Sequence, residues 1–305
     1  MPKQETGIVV ATRGRHFDVL TSDRCRLRCE LRQKVKFVQT GSSPVTVGDD
    51  VLVTRVSDST GAIDKVLERR TAFFRPAKLR ESERQIIAAN LDQLAVVASV
   101  VSPPLKTGLI DRVLIAAELG RLTPIVVINK IDLGEDENLN MVVRTYCSLG
   151  YPTVLVSAST GSGLSELTRM LKDHRTIFAG HSGVGKSTLL NVLIPGLKQA
   201  TSEVSHHSGR GKHRTTTIEL FDLPGGGFAV DSPGLKVMGL WELEREAVDD
   251  YFPDFRPHAA KCRFQPCSHS HEPGCAVKEA VERGEVARFR YESYLAIRDS
   301  LDLEA

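Results

Sequence analysis

The chain has 305 residues and a formal net charge of +2, enough length for about two or three domains and too little net charge for anything but a local nucleic-acid surface. Its six cysteines are unevenly spaced, which excludes a disulfide framework and leaves thiols or metal ligands. No apolar run approaches the roughly 18 to 20 residues of a membrane span and the polar N-terminus lacks a signal-peptide core, so a monomeric, cytoplasmic protein with no membrane partner is expected.

Residues 1–72 read as all-β. Short apolar runs at Gly7–Val10, Phe17–Leu20, Val45–Val47, Val51–Val53 and Ile63–Leu67 are separated by Gly-, Ser- and Asp-rich turns, the pattern of a small OB-type barrel. In the first forty residues nine Lys and Arg face Glu5, Asp18, Asp23 and Glu30, a net of about +5. Arg26 and Arg28 alternate with Leu27 and Cys29, which puts their charge on one outward strand face. That face is either simply solvated or an RNA contact, and the one-signed clustering favours RNA.

Residues 73–240 change to strand, helix, strand. The continuous apolar runs Leu94–Val101, Ile125–Ile128, Thr153–Val156, Thr176–Ala179 and Phe228–Val230 suit strands buried on both faces. Helical stretches are expected near 109–120, 137–149, 164–173 and 186–194, giving a doubly wound α/β domain with ligand loops at its strand ends.

Four motifs fall at such ends. Gly180-His181-Ser182-Gly183-Val184-Gly185-Lys186-Ser187, with Thr188, is a phosphate loop between strand and helix; its amides would wrap phosphate, Lys186 would bridge the β and γ phosphates and Ser187 would hold Mg²⁺. Asn129-Lys130-Ile131-Asp132 suits guanine, because a carboxylate at Asp132 accepts from both the ring N–H and the exocyclic amine. Lys130 would lay its stem along the base, and the Ala158 N–H of Ser157-Ala158-Ser159 would meet the guanine oxygen. Asp231-x-x-Gly234 would hold Mg²⁺ through a water at Asp231 and sense the γ-phosphate at the Gly234 amide. Leu235 stands where Ras-like enzymes carry the water-orienting glutamine, so hydrolysis needs another polar group or a partner.

The order of these parts is unusual. The base-reading pair precedes the phosphate loop, and Asp231 comes last, so an ordinary GTPase cycle has been cut before its fourth element and rejoined. Between the phosphate loop and Asp231, Ser208–Thr217 is rich in Gly and charge and occupies the place of the first switch. One of its threonines should complete the Mg²⁺ shell. His213 either positions water or is a solvated loop histidine; His206 and His207 are weaker candidates.

Residues 241–305 read as mainly helical, with an amphipathic stretch over 285–301. Inserted here are Cys262, Cys267, His269 and Cys275, the Cys₃His set of one closed structural Zn²⁺ site, with His271 as a competing ligand. Cys25, Cys29 and Cys147 read as small buried apolar residues. The chain would leave the nucleotide domain just after the second switch and run almost directly into this metal unit.

Taken together, the permuted order, the phosphate loop, the Gly209-Arg210-Gly211-Lys212-His213 switch, Asp231-Ser232-Pro233-Gly234-Leu235, Gly239-Leu240-Trp241 and the cysteine set resemble the ribosome small-subunit-dependent GTPase A family, the RsgA type. The resemblance spans essentially the whole chain. It implies an OB barrel, a circularly permuted GTPase core and a zinc domain, acting on the small ribosomal subunit and its rRNA in late maturation, with GTP hydrolysis to GDP stimulated by that subunit. It also implies that His213 takes part in hydrolysis. The family switch reads His-Thr-Thr, whereas Arg214 fills the first threonine position here, so Thr215 becomes the expected Mg²⁺ ligand and Thr216 the reserve. Potassium-activated GTPases commonly carry asparagine where Gly183 stands, which gives no support for a potassium cofactor. The alternative is a signalling or transport GTPase whose flanking domains bind protein; a zinc-stabilised RNA module with a vestigial nucleotide site is disfavoured by the intact Lys186, Ser187, Asp231 and Asp132.

Overall fold

A computed structural model describes residues 4–32, 44–76, 84–134, 138–197, 218–231, 240 and 243–304. Strands β1 (Gln4–Arg13), β2 (His16–Thr21), β3 (Arg26–Leu31), β4 (Asp50–Arg55) and β5 (Thr60–Val66) close a barrel in the order β1-β2-β3-β5-β4. Alternation decides what each strand turns inward: Val9, Val19, Leu27, Cys29, Val51, Val53 and Ile63 fill the interior with no exposed surface, while Arg26, Arg28 and Glu30 point out. Five strands are present as the turns predict, and four of the five apolar runs are among them. Val45–Val47 is no strand; it is a buried connection in which Asp49 accepts the Thr46 N–H (2.7 Å) and Val47 makes a lone bridge to Ala88. The fifth strand is Arg26–Leu31, where the alternation of Arg26 and Arg28 with Leu27 and Cys29 reads as a strand face.

A hairpin of β6 (Ala72–Pro76) and β7 (Arg84–Ala89), unforeseen in the sequence, leads into the α/β layer. There β8 (Gln93–Ser99), β9 (Thr123–Asn129), β10 (Thr153–Leu155), β11 (Arg175–Ala179), β12 (Leu220–Asp222) and β13 (Phe228–Asp231) form one sheet, ordered β10-β9-β8-β11-β13-β12. All pairings are parallel except β12 with β13. The helices are α1 (Thr107–Leu119), α2 (Leu139–Ser148), α3 (Leu164–Leu171) and α4 (Lys186–Leu193).

The two-residue period of each strand splits the apolar runs between two cores. Leu94, Val96, Ala98, Val126, Ile128 and Val230 pack against α1 and α2. Ala95, Val97, Ile125, Val127, Phe178 and Ala229 pack against α3 and α4. Burial on both sides is why these strands carry no polar alternation.

Two short helices, α5 (Arg256–Ala259) and α6 (Ala276–Glu282), and the longer α7 (Arg288–Glu304) follow a 3-10 turn over Arg245–Tyr251. Phe252, Phe255, Val277, Tyr294 and Ile297 form their core, and Ile115 of α1 enters it. The joint between α1 and α7 is also ionic. Arg290 is 1% exposed and donates to Asp111 (2.5 Å), which is fully buried, and to Asp254 (2.9 Å). Tyr146 adds a bond to Asp111 at 2.8 Å. No described helix is long and apolar enough to cross a membrane.

Candidate nucleotide and metal sites

The sheet order places the separated motifs side by side. β9 and β11 flank β8, so the Asn129 turn and the phosphate loop emerge from strands one apart, with the end of β8 between them. β13 lies beyond β11, and its last residue, Asp231, pairs with Phe178.

Asn129 stitches three of these segments. It is 1% exposed, donates through Nδ2 to the Val184 carbonyl (2.9 Å) and accepts the Ala158 N–H at Oδ1 (3.1 Å). The Ala158 N–H therefore meets a guanine oxygen only by sharing or exchanging that bond. Asp132 accepts from Ser157 Oγ (2.6 Å) and Ser159 Oγ (2.9 Å), bonds that pull its carboxyl below the usual carboxylate range and keep it an acceptor. Lys130, in the left-handed region at φ 66°, donates to the carbonyls of Gly183 (2.6 Å) and Ser102.

The phosphate loop needs its glycines for space. A Cβ on Gly180 (φ 150°) would stand 2.1 Å from the Val97 carbonyl of β8, and one on Gly185 (φ 91°) would stand 2.4 Å from Asn129 Nδ2. Val184 is buried, whereas His181, Ser182 and Gly183 are exposed. Lys186 opens α4 and donates to the Gly180 (2.7 Å) and His181 (3.0 Å) carbonyls, across the mouth of the loop. Ser187 and Thr188 sit in the same first turn. The loop after β8 was not expected to contribute, yet Ser102 holds Lys130 and Pro103 lies 3.5 Å from the Cβ position of Gly183. Its signal in the sequence is Ser-Pro-Pro at the end of a buried strand. His206, His207, His213, Arg214, Thr215, Thr216, Gly234 and Leu235 lie outside the described residues.

In the C-terminal unit, the ligand atoms of Cys262, Cys267, His269 and Cys275 all lie within 4.8 Å of one another. Sγ of Cys262 is 3.9 Å from that of Cys275, and His269 Nδ1 is 3.6 Å and 3.4 Å from these two sulfurs. A tetrahedron with metal–sulfur bonds of about 2.3 Å has edges of about 3.8 Å; the separations among Cys262, His269 and Cys275 match it and Cys267 lies within 4.8 Å of each, so the residues present fit Zn²⁺. Burial pushes the Cys267 thiol up to about 12; a bound cation would reverse that by stabilising the thiolate. His271 is exposed and bonds Ser270 instead. The other face of His269 meets Asp249, with Nε2 3.5 Å from Oδ2, and Tyr291 and Tyr294 hold the Ser268–His269 carbonyls at 2.7 Å. Of the remaining cysteines only Cys29 is fully buried; Cys25 is half-buried and Cys147 exposed, so two of the three expected buried thiols are not core residues.

The barrel's positive charge is partly committed to the α/β layer. Arg24 pairs with Asp222 (2.6 Å), while Arg13 and Arg26 both reach Glu219 (3.7 and 3.4 Å). Arg32 pairs with Asp64 at 2.9 Å. Among the described residues Arg15 and Arg28 are exposed without an ion-pair partner; Lys3, Lys34 and Lys36 lie outside them.

A profile for the RsgA GTPase matches residues 66–241. The chain belongs to the RsgA GTPase family. It is therefore a GTP-hydrolysing enzyme, and its sheet carries the permuted order. Among relatives, the RsgA of Chlorobaculum tepidum, named a small ribosomal subunit biogenesis GTPase, is 40% identical over 99% of each chain. That of Bacteroides fragilis, with the same name, is 37% identical over 95% of each. Two solved structures are similar. YjeQ from Thermotoga maritima has a TM-score of 0.76 at 35% identity, covering 98% of this chain and 99% of that one. YloQ, described as a circularly permuted GTPase, has a TM-score of 0.74 at 28% identity, covering 99% and 96%.

Proposed function

We propose that this RsgA-family GTPase binds the small ribosomal subunit and assists its late maturation in the cytoplasm, hydrolysing GTP to GDP faster when the subunit is bound. The observation that carries the reading is Asn129, which joins the base-reading turn, the phosphate loop and Ala158 in one bonded unit. In this reading Asn129, Lys130, Asp132, Ser157 and Ala158 take guanine; Gly180 to Gly185, Lys186, Ser187, Thr188 and the Gly234 amide take the phosphates. Ser187, Thr215 and Asp231 would hold Mg²⁺, which supplies charge neutralisation between the β and γ oxygens. Lys186 stabilises the charge that develops on the transferred phosphoryl group, and His213 orients or deprotonates the attacking water in place of the missing glutamine. Zn²⁺ at Cys262, Cys267, His269 and Cys275 is structural, since four protein ligands leave no open position. The domains are assigned to residues 1–72, 73–240 and 241–305.

Contacts beside the proposed switches support a coupling to the flanking units. Glu219 and Asp222, just after the proposed first switch, are held by Arg13, Arg24 and Arg26 of the barrel. Leu240, just after the second, packs in the core of the metal unit. A change in either switch is thus transmitted to the surfaces that would grip rRNA. The names of the relatives favour this reading over a signalling or transport GTPase. His213→Ala should keep GDP affinity and lose subunit-stimulated hydrolysis, measured by phosphate release; parallel loss of GDP binding would make the residue structural. Wild-type protein binding ADP as tightly as GDP would refute the assignment of Asp132.

A further inference from the structure

The metal loop carries a feature that its scaffolding role does not use. Phe264 lies between Cys262 and Cys267 and keeps 45% of its surface exposed. The Arg263 guanidinium lies over its ring, 5.6 Å from the centroid. The loop is fixed on both sides: the Arg263 N–H donates to the Gly274 carbonyl (3.0 Å), and Gln265 Nε2 donates to the Ala259 carbonyl (3.0 Å). The aromatic ring is therefore presented from a braced turn.

The sequence on either side of it is one-signed. From Phe255 to His271 the sequence contains Arg256, Lys261 and Arg263 and neither Asp nor Glu. Lys261 and Arg263 are exposed and make no ion pair within 4.0 Å among the described residues, although Glu285 feels the charge of Lys261; the arginines at the barrel's seam are held by acids. An exposed ring beside exposed cations matches nucleic acid, because a base stacks on an aromatic face while the adjoining phosphates meet the charges. A protein partner would be matched better by a broader apolar patch than by one ring in a basic field.

We propose that Phe264 is a stacking platform for an unpaired RNA base, with Arg263 and Lys261 holding the flanking phosphates. This rests on the reading that the chain binds the small ribosomal subunit. The test is co-sedimentation of the full-length, zinc-loaded protein with purified small subunits and, in parallel, binding to protein-free small-subunit rRNA. Phe264→Ala should weaken both by about tenfold with zinc content and melting unchanged, and Phe264→Tyr and Phe264→Trp should restore them. Arg263→Ala should weaken binding and lower its salt dependence by about one charge. Phe264→Ala binding like wild type, or full restoration by Phe264→Leu, would overturn the platform alone. Loss with subunits but not with free rRNA would point to a ribosomal protein and also overturn it. Wild-type protein failing to bind subunits would overturn the functional reading and the platform with it.

Discussion

Arg290→Met tests how the metal unit is joined to the nucleotide domain. The substitution keeps part of the aliphatic stem and removes the charge, and with it the guanidinium that lies over the Phe252 ring, 4.4 Å from its centroid. It strips one partner from Asp111 and two bonds, at 2.9 and 3.2 Å, from Asp254. Asp111 is fully buried and Asp254 8% exposed, so both carboxylates would be left in a low-dielectric joint. Orphaning a buried ion pair costs about 3–5 kcal/mol, and the lower value already means about a hundredfold more frequent opening. Because the chain has several domains, a single unfolding free energy is a poor readout. Amide exchange resolved by segment is better: protection should fall together in Thr107–Leu119 and Arg288–Glu304. Burial already pushes the Asp111 carboxyl up, and without Arg290 it would rise further, so the defect should shrink as falling pH protonates Asp111. A loss below about 1 kcal/mol, or one confined to α7, would refute the reasoning.

Three other outcomes follow from local geometry. Gly180→Ala should weaken GDP binding sharply while leaving the fold intact, because the Cβ would press on the Val97 carbonyl; unchanged affinity by calorimetry would show that the loop relaxes freely. Zinc chelation should unfold the region beyond about residue 241 first, with GDP still binding, and a parallel fall in GDP affinity would show that the two units fold together. In the barrel, the Thr21 hydroxyl bond, helped by Arg55, pulls the Asp23 carboxyl from 3.8 to about 2. A depressed carboxylate stabilises the fold above its unfolded pKa and loses that contribution as pH falls through the folded one. The melting deficit of Asp23→Asn should therefore be complete at neutral pH and close between pH 3.8 and about 2; a deficit independent of pH would contradict this.

The nucleotide motifs were legible because each ends a buried strand, where an α/β sheet places its ligands. The Cys₃His set was legible for a similar reason, since four soft donors lie close together in sequence. What the sequence concealed depends on tertiary partners. Val45–Val47 has strand composition, but the Asp49 side chain captures the Thr46 amide and turns the chain there. β12 is three residues long and exists through its pairing with β13. Asp111, Asp254 and Arg290 come from three distant segments, and nothing local marks them as a buried triad. The arginines of β3 read as one outward cationic face, and they are outward, yet Arg26 finds its acid at Glu219 in the next domain. Cys147 shows the limit of residue type alone, for it lies exposed on α2.

The central claim is that this permuted GTPase works through the small ribosomal subunit. It is tested most directly by GTP turnover of the full-length protein with and without purified small subunits. A low basal rate that rises many-fold on adding subunits, and vanishes in Lys186→Ala, is the predicted result. A rate unaffected by subunits would contradict the account.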